Sequence, residues 1–239
     1  MDSEVDYSRL KVPTHVAIIV DGNGRWAEER GLSRLKGHDA GFDNLRRLVR
    51  YIMSRGIKVL SLYVFSTENF KRTKEEVGHL MDLFVLMYRK ELKVFIKDNI
   101  KVVFSGRDNP LPKSVIKARD EIIEATKNNT GGIVNFCLNY GGRAEIMDAV
   151  KKIAHSGVNV DELADEDFRH YLYQDLPDID LMIRTSGELR LSNFLLWQNS
   201  YAEFYFPKMK FPDFGAAEFD RAITEYTSRD RRFGGNTKS

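Results

Sequence analysis

The 239-residue sequence predicts a single α/β domain with a mainly parallel central β-sheet flanked by helices. Short runs of strand-forming residues, such as Val16–Val20, Val59–Phe65 and Ile133–Tyr140, carry the strand signal. Stretches with apolar residues at helical spacing alternate with them. No repeat, low-complexity tract or linker divides the chain, so residues 15–239 are expected as one domain behind a loosely held arm, 1–14.

Composition narrows the class. Hydrophobic residues make up 42% and charged residues 30%, an ordinary soluble globular balance. A formal net charge of +2 gives no global pull toward nucleic acid, so any anion site must be local. One cysteine excludes an internal disulfide and a multi-cysteine zinc site, and it fits a reducing, cytoplasmic setting. The polar, acidic N-terminal stretch is unlike a signal peptide, and no apolar run is long enough for a transmembrane helix. Any membrane contact is therefore expected to be peripheral.

In chain order, Val16–Val20 reads as the first strand, ending at Asp21 and opening into Gly22-Asn23-Gly24-Arg25. A helix is expected to begin at Arg25. Phe42, Leu45, Leu48, Val49, Ile52 and Met53 predict a helix over 36–55, stopped by Gly56. The second strand, Val59–Phe65, opens into the polar loop Ser66–Arg72. The helix expected over Glu75–Lys97 is apolar well beyond one stripe. It either lies buried between the sheet and a partner subunit or lines an apolar ligand cavity. A strand at Ile100–Ser105, a helix at Leu111–Lys127, a strand at Ile133–Tyr140 and a helix at Arg143–His155 follow. Cys137 reads as core filler. An irregular acidic stretch with a short helix near Glu166–Tyr173 leads to a strand at Leu181–Arg184, a compact apolar helix reaching Trp197, a strand at Ala202–Phe206 and a helix at Gly215–Ser228.

Three places carry chemistry. The stretch His15–Ala27, HVAIIVDGNGRWA, reads as strand, carboxylate, glycine-rich loop and helix. In open α/β sheets, ligands bind beyond the carboxyl ends of strands, where this loop would lie. Asp21 beside a bound phosphate calls for a cation between them, so the stretch reads as a phosphate site with a divalent metal; an ordinary Asp-capped turn fits the same residues. Arg184, Arg190 and Ser192 suit a second phosphate group, because guanidinium grips phosphate bidentately. A surface loop with solvated arginines fits them equally. Glu203, set among aromatic residues, needs a cation, a proton or a metal if buried.

The motifs HVAIIVDGNGRWA, Gly37-His38 with Gly41, LYVFSTENFKR over Leu62–Arg72, IRTSGELRLSNFLLWQ over Ile183–Gln198, YAEFYF over Tyr201–Phe206 and RRFGG over Arg231–Gly235 resemble the cis-prenyltransferases, most closely the bacterial undecaprenyl diphosphate synthases. They run in order from about His15 to Gly235. The resemblance implies sequential condensation of isopentenyl diphosphate onto an allylic primer, usually farnesyl diphosphate, with Mg2+, in a homodimer. The product would be the undecaprenyl lipid carrier for cell-wall precursors. It implies that Asp21 is the essential carboxylate acting through Mg2+ and that Asn69 is catalytic. Gly22, Asn23, Gly24, Arg25, Trp26, Arg34 and His38 would bind the allylic substrate, with Ser66, Glu68, Asn69, Phe70 and Arg72 on a mobile loop. Arg184, Arg190 and Ser192 would hold isopentenyl diphosphate, Glu203 would complete the metal shell, and Arg232 would reach into the partner's site.

A growing hydrocarbon needs an apolar tunnel between sheet and helices, which moves the Leu80–Tyr88 segment to its wall with Leu62, Val64 and residues of Ile133–Leu138. Phe70 stands where Trp is frequent. Thr73 stands where Pro is frequent, a change expected to loosen the loop. Leu189 occupies a position that is His in some members and is assigned no role. Val64 makes product length less fixed than reaction type. An aspartate-nucleophile phosphatase lacks its second carboxylate here, since that position is Asn23. A non-catalytic partner subunit would be expected to lose Asp21 or the arginines, which this chain keeps. A shorter-chain synthase or such a non-catalytic partner subunit remains the alternative within the family.

Overall fold

The computed structural model describes residues 6–230. A six-stranded sheet, entirely parallel, runs in the order β3-β4-β2-β1-β5-β6. The strands are β1 (His15–Ile19), β2 (Val59–Ser66), β3 (Ile100–Ser105), β4 (Gly132–Tyr140), β5 (Leu181–Arg184) and β6 (Glu203–Tyr205). The helices are α1 (Asn23–Glu28), α2 (Arg34–Ser54), α3 (Lys74–Lys97), α4 (Lys113–Thr126), α5 (Gly142–Ser156), α6 (Asp165–Phe168) and α7 (Ala216–Thr227). The expected α/β class with a parallel sheet is what the chain adopts.

The two-residue period of a strand divides the core between two faces. Val16, Ile18, Leu60, Leu62, Val134, Phe136 and Ile183 face the layer of α2, α3, α4 and α7. Ala17, Ile19, Tyr63, Cys137 and Met182 face the opposite side with Tyr140, Phe194 and Leu195. Cys137 is free and fully buried, as core filler should be. The register of β2 on β4 shifts between Tyr63 and Phe65. Alternation sets Val64 against the helical layer with Leu62, and the shift brings Phe65 to that layer as well. Bulges of this kind recur beside functional sites because they re-aim a side chain.

Residues 6–14 touch the body at several points. The Tyr7 hydroxyl donates to Asp220 at 2.6 Å, and the Lys11 and Thr14 backbone N–H groups donate to Thr227 Oγ1 and Asp180 Oδ2. One element differs in kind from expectation. The segment through Trp197 is a series of turns, without a helix. Ser192, Asn193 and Leu195 have φ of 47°, 65° and 41°. Left-handed residues cannot extend a right-handed helix. They redirect the chain so that Asn193 meets the carboxyl end of the sheet.

Candidate active site at the carboxyl ends of the strands

The central strand β1 lies between β2 and β5, and a cleft of about 570 Å³ opens beyond the carboxyl ends of these strands. Asp21, Gly22, Asn23, Gly24, Arg25, Arg34, His38, Ser66, Glu68, Asn69, Arg72, Arg184 and Ser192 all line it. Thirteen residues expected in one site from four separate stretches are thus brought together by the parallel topology.

Asp21 follows β1 directly. Its backbone N–H donates to Thr185 Oγ1 at 3.0 Å, and the Thr185 hydroxyl donates to the Asp21 carbonyl at 2.8 Å. Its carboxylate accepts from Gly22 N at 2.7 Å and from Arg184 Nη2 at 2.8 Å, with Arg25 Nη2 at 3.4 Å. Gly22 has φ of 96°, which non-glycine residues adopt only with strain, and a Cβ there would stand 2.6 Å from Ser186 Oγ. The glycines of α2 serve a different purpose. A Cβ on Gly37 would stand 2.0 Å from the Asn23 carbonyl oxygen, and one on Gly41 2.3 Å from Asn23 Oδ1. They let α1 rest directly on α2 and hold the loop in place.

Arg184 ends β5 with 4% of its surface exposed. One nitrogen donates to the Arg190 carbonyl at 2.5 Å and to Ser192 Oγ at 2.7 Å, while its Nε has no partner among the described residues. Arg25 donates to Glu188 Oε1 at 2.7 Å. Hydrogen bonds from Arg190 and Arg25 hold the Glu188 carboxyl below the usual carboxylate range.

Behind the other wall lies Glu76, which no motif singles out as a site residue. Its carboxylate receives His38 Nε2 at 2.9 Å and Arg72 Nη1 at 3.0 Å, with Arg34 Nε at 3.8 Å. Burial would raise the Glu76 carboxyl, but His38 and Arg72 hold it below its ordinary value. Burial pushes His38 down, against the pull of Glu76, so the ring is neutral near pH 7. The signal was present as Thr73-x-x-Glu76, a helix-start pattern. Thr73 Oγ1 accepts from Glu76 N at 3.2 Å and caps α3. Thr73 therefore ties down the end of the loop, where loosening had been expected.

In the loop, Asn69 Oδ1 accepts from Ser66 N at 3.0 Å across a 3-10 turn over Thr67–Lys71. Phe70 does not line the cleft; it packs edge-on against Phe65 at 4.8 Å. Trp26 also lies outside, donating to Asp213 at 2.8 Å under the Arg30 guanidinium. The Arg190 side chain pairs with Glu188, and Leu189 is 76% exposed. Arg232 lies outside the described residues. Glu203 sits at the start of β6, in register with Leu181 and hence with Val16. Asp21 lies five residues beyond Val16, roughly 16 Å along the strand direction. Glu203 instead pairs with Arg229 at 3.1 Å. Among the described residues no group of three or more His, Cys, Asp or Glu side chains is arranged to hold a metal. Tyr63 and Asn193, neither singled out beforehand as site residues, also line the cleft.

Beyond the cleft, an apolar cavity of about 50 Å³ lies between α2 and α3, bounded by Phe42, Leu45, Leu83, Phe84 and Met87. Val64 and Leu80 line both spaces. A parallel α/β domain with arginines in the cleft and an apolar recess behind it has the form of a site suited to an anionic head group joined to a hydrocarbon.

Residues 19–234 match the family described as "Putative undecaprenyl diphosphate synthase", and the chain belongs to that family of isoprenyl transferases. It is 51% identical over 231 residues to an isoprenyl transferase of Thermotoga maritima, covering 95% of this chain and 98% of that one. It is 46% identical to an isoprenyl transferase of Clostridium acetobutylicum, covering 98% and 93%. Among solved structures, a lavandulyl diphosphate synthase from Lavandula x intermedia in complex with dimethylallyl diphosphate superposes with a TM-score of 0.90 at 35% identity, covering 93% and 98%. A "probable undecaprenyl diphosphate synthase" from Campylobacter jejuni gives 0.80 at 34%, covering 94% and 100%.

Proposed function

We propose that this isoprenyl transferase adds isopentenyl diphosphate units in sequence, with cis double bonds, to farnesyl diphosphate and makes a product of undecaprenyl length. The observation that carries the reading is the shared wall of Val64 and Leu80: an arginine-lined cleft suited to a diphosphate opens onto an apolar recess suited to its tail.

The arginines have exchangeable partners. Arg25, Arg34, Arg72 and Arg184 each rest on a carboxylate of the chain. A diphosphate offers each guanidinium a bidentate contact in place of these single ones, with more charge. In this reading Gly22–Arg25, Arg34 and His38 hold the allylic diphosphate, while Arg184 and Ser192 hold isopentenyl diphosphate with Arg190 beside them. Loss of the allylic diphosphate leaves a carbocation and an anion. Fixed guanidiniums, already oriented by their carboxylate partners, stabilise that anion as its charge develops. The loop Ser66–Arg72, with Glu68 and Asn69 at the cleft, aligns the alkene with the cation, a positioning task. Trp26 and Phe70 act from behind the cleft wall rather than on substrate.

Mg2+ fits the donor set in the way it often binds, through one carboxylate plus substrate phosphate oxygens. Asp21 is that carboxylate; bound there, the ion would neutralise diphosphate charge. Glu203, at the far end of the strands, takes part only if delivered by another chain. A homodimer that shares sites through Arg232 belongs to the same proposal. A shorter product is the second reading, favoured by the small volume of the recess.

The test is incubation with farnesyl diphosphate, radiolabelled isopentenyl diphosphate and Mg2+, then chromatography of the dephosphorylated products. A ladder ending at undecaprenyl length supports the reading. A ladder ending earlier supports the second. No incorporation by folded protein rejects both.

A further inference from the structure

The apolar recess does not end at Met87. Leu45 and Met87 also border a smaller void of about 10 Å³ that reaches Phe95 and Phe136. Cleft, recess and void therefore run in series between α2 and α3. The far end is not apolar. Glu91 of α3 is 3% exposed, and each of its oxygens accepts from α2: Oε1 from Arg46 Nε at 2.5 Å and Oε2 from Arg50 Nη2 at 2.5 Å. Both arginines and Glu91 line the last void.

Two physical facts make this arrangement consequential. First, the spaces below the cleft are small. A space of about 10–15 Å³ on this measure holds one water, so the recess has room for a few water-sized groups and the void for about one, far less than a hydrocarbon of many isoprene units. A hydrocarbon of many isoprene units enters only if α2 and α3 part along the Leu45–Met87 seam. Second, the two helices resist parting unequally along that seam. Apolar contacts re-form on the incoming hydrocarbon at little net cost. The buried carboxylate of Glu91 has no such substitute, because a hydrocarbon offers it no donor.

We propose that the Arg46–Glu91–Arg50 clasp is the stop at the far end of the product passage, a specificity-determining contact that sets the longest chain the enzyme retains. The proposal rests on the elongation reading above. While the clasp holds, α2 and α3 open like a sleeve closed at its foot, and the leading end of the chain halts against Phe95, Phe136 and the ion pairs. When the clasp is weakened, the foot opens and further units are accommodated.

The experiment is the product ladder from farnesyl diphosphate, isopentenyl diphosphate and Mg2+, run side by side for the unaltered enzyme, Glu91→Gln, Arg50→Met and Arg50→Lys, with Tm and far-UV circular dichroism for each. Glu91→Gln and Arg50→Met are expected to shift the main product upward by one or more five-carbon units, and Arg50→Lys to keep the unaltered ladder. Arg50 is about half exposed and Arg46 still pairs Glu91 in its absence, so Arg50→Met carries the test if Glu91→Gln fails to fold. An unchanged or shortened ladder in folded Arg50→Met overturns the clasp while leaving elongation intact. Absence of any ladder from the unaltered enzyme overturns the elongation reading, and the clasp with it. The two failures appear in different lanes.

Discussion

Asp21 and Arg184 are joined by a hydrogen bond of 2.8 Å between a carboxylate still partly open to the cleft and a guanidinium that is almost wholly buried. This geometry refines what loss of Asp21 should do. On motif alone, Asp21→Ala would remove turnover and leave folding nearly untouched. The structure makes Asp21 the counter-charge of Arg184, so Asp21→Ala is expected to abolish prenyl transfer and also to cost about 1–2 kcal/mol in urea unfolding, less than a fully buried pair because the carboxylate is partly exposed. Asp21→Asn keeps a hydrogen-bond acceptor and should recover part of the stability but no turnover. Turnover within a few-fold of the unaltered enzyme in either variant would contradict the assigned role. Glu76 teaches a related point: as the shared acceptor of His38 and Arg72, it positions residues on α2 and on the loop without lining the cleft. Sequence patterns mark Glu76 only as part of a helix start, whereas its role is identified by the three partners that converge on it.

At the scale of elements, the site depends on how closely α1 lies on α2. Gly37 and Gly41 leave no room for a methyl group against Asn23. Gly37→Ala is therefore expected to push α1 and the Gly22–Arg25 loop outward, with an overpacking cost of about 1–3 kcal/mol and a Tm lower by roughly 5 °C. The readout that separates this from simple destabilisation is substrate affinity: KM for the allylic diphosphate should rise at temperatures where the variant is fully folded. An unchanged KM and Tm would remove the close approach as the reason for glycine. The β2 bulge is the other decisive element. Alternation alone sends Phe65 to the same side as Ala17 and Tyr63, but the register shift turns it to the helical layer, beside Val64. The assignment of Val64 to a tunnel wall was carried by resemblance, and the alternation that puts it on the side of Leu62 is what faces it to the recess. The segment expected as a helix up to Trp197 shows the converse, since its apolar composition concealed three left-handed residues.

For the whole molecule, a buried polar ladder crosses the sheet. His15 Nδ1 donates to the Pro177 carbonyl at 2.7 Å, and Nε2 accepts from Ser61 Oγ at 2.8 Å. Ser61 accepts from Asn135, which accepts from Ser105. Burial pushes the His15 ring from its usual 6.5 down to about 4. The folded chain thus refuses a proton that the unfolded chain takes. Stability should fall as pH drops from about 6.5 to about 4 and level off below, by an amount on the order of 3 kcal/mol from this group, with His38 adding in the same direction. Urea unfolding at pH 7, 6, 5 and 4 measures the slope, and His15→Gln should flatten it; equal stability at pH 7 and 5 would contradict a neutral buried ring. No described helix is long and apolar enough to cross a membrane. The proposed shared site predicts partial recovery of turnover when inactive Asp21→Ala and Arg232→Ala subunits are mixed and exchanged. No recovery despite proven exchange would count against it.

The sequence by itself determined the α/β class, nearly every strand and helix, and most residues that line the cleft. Each rests on a local cause: side-chain period, turn chemistry, or charged residues just beyond a strand end. The tertiary structure alone decided how far those residues act together. It placed Glu76 beneath His38 and Arg72, sent Glu203 to the opposite end of the strands from Asp21, turned Phe65 toward the helices, and set Glu91 between two arginines at the foot of the recess. All four are relations between elements distant in the chain. They follow from sheet order, register and helix packing, which no single stretch of sequence contains.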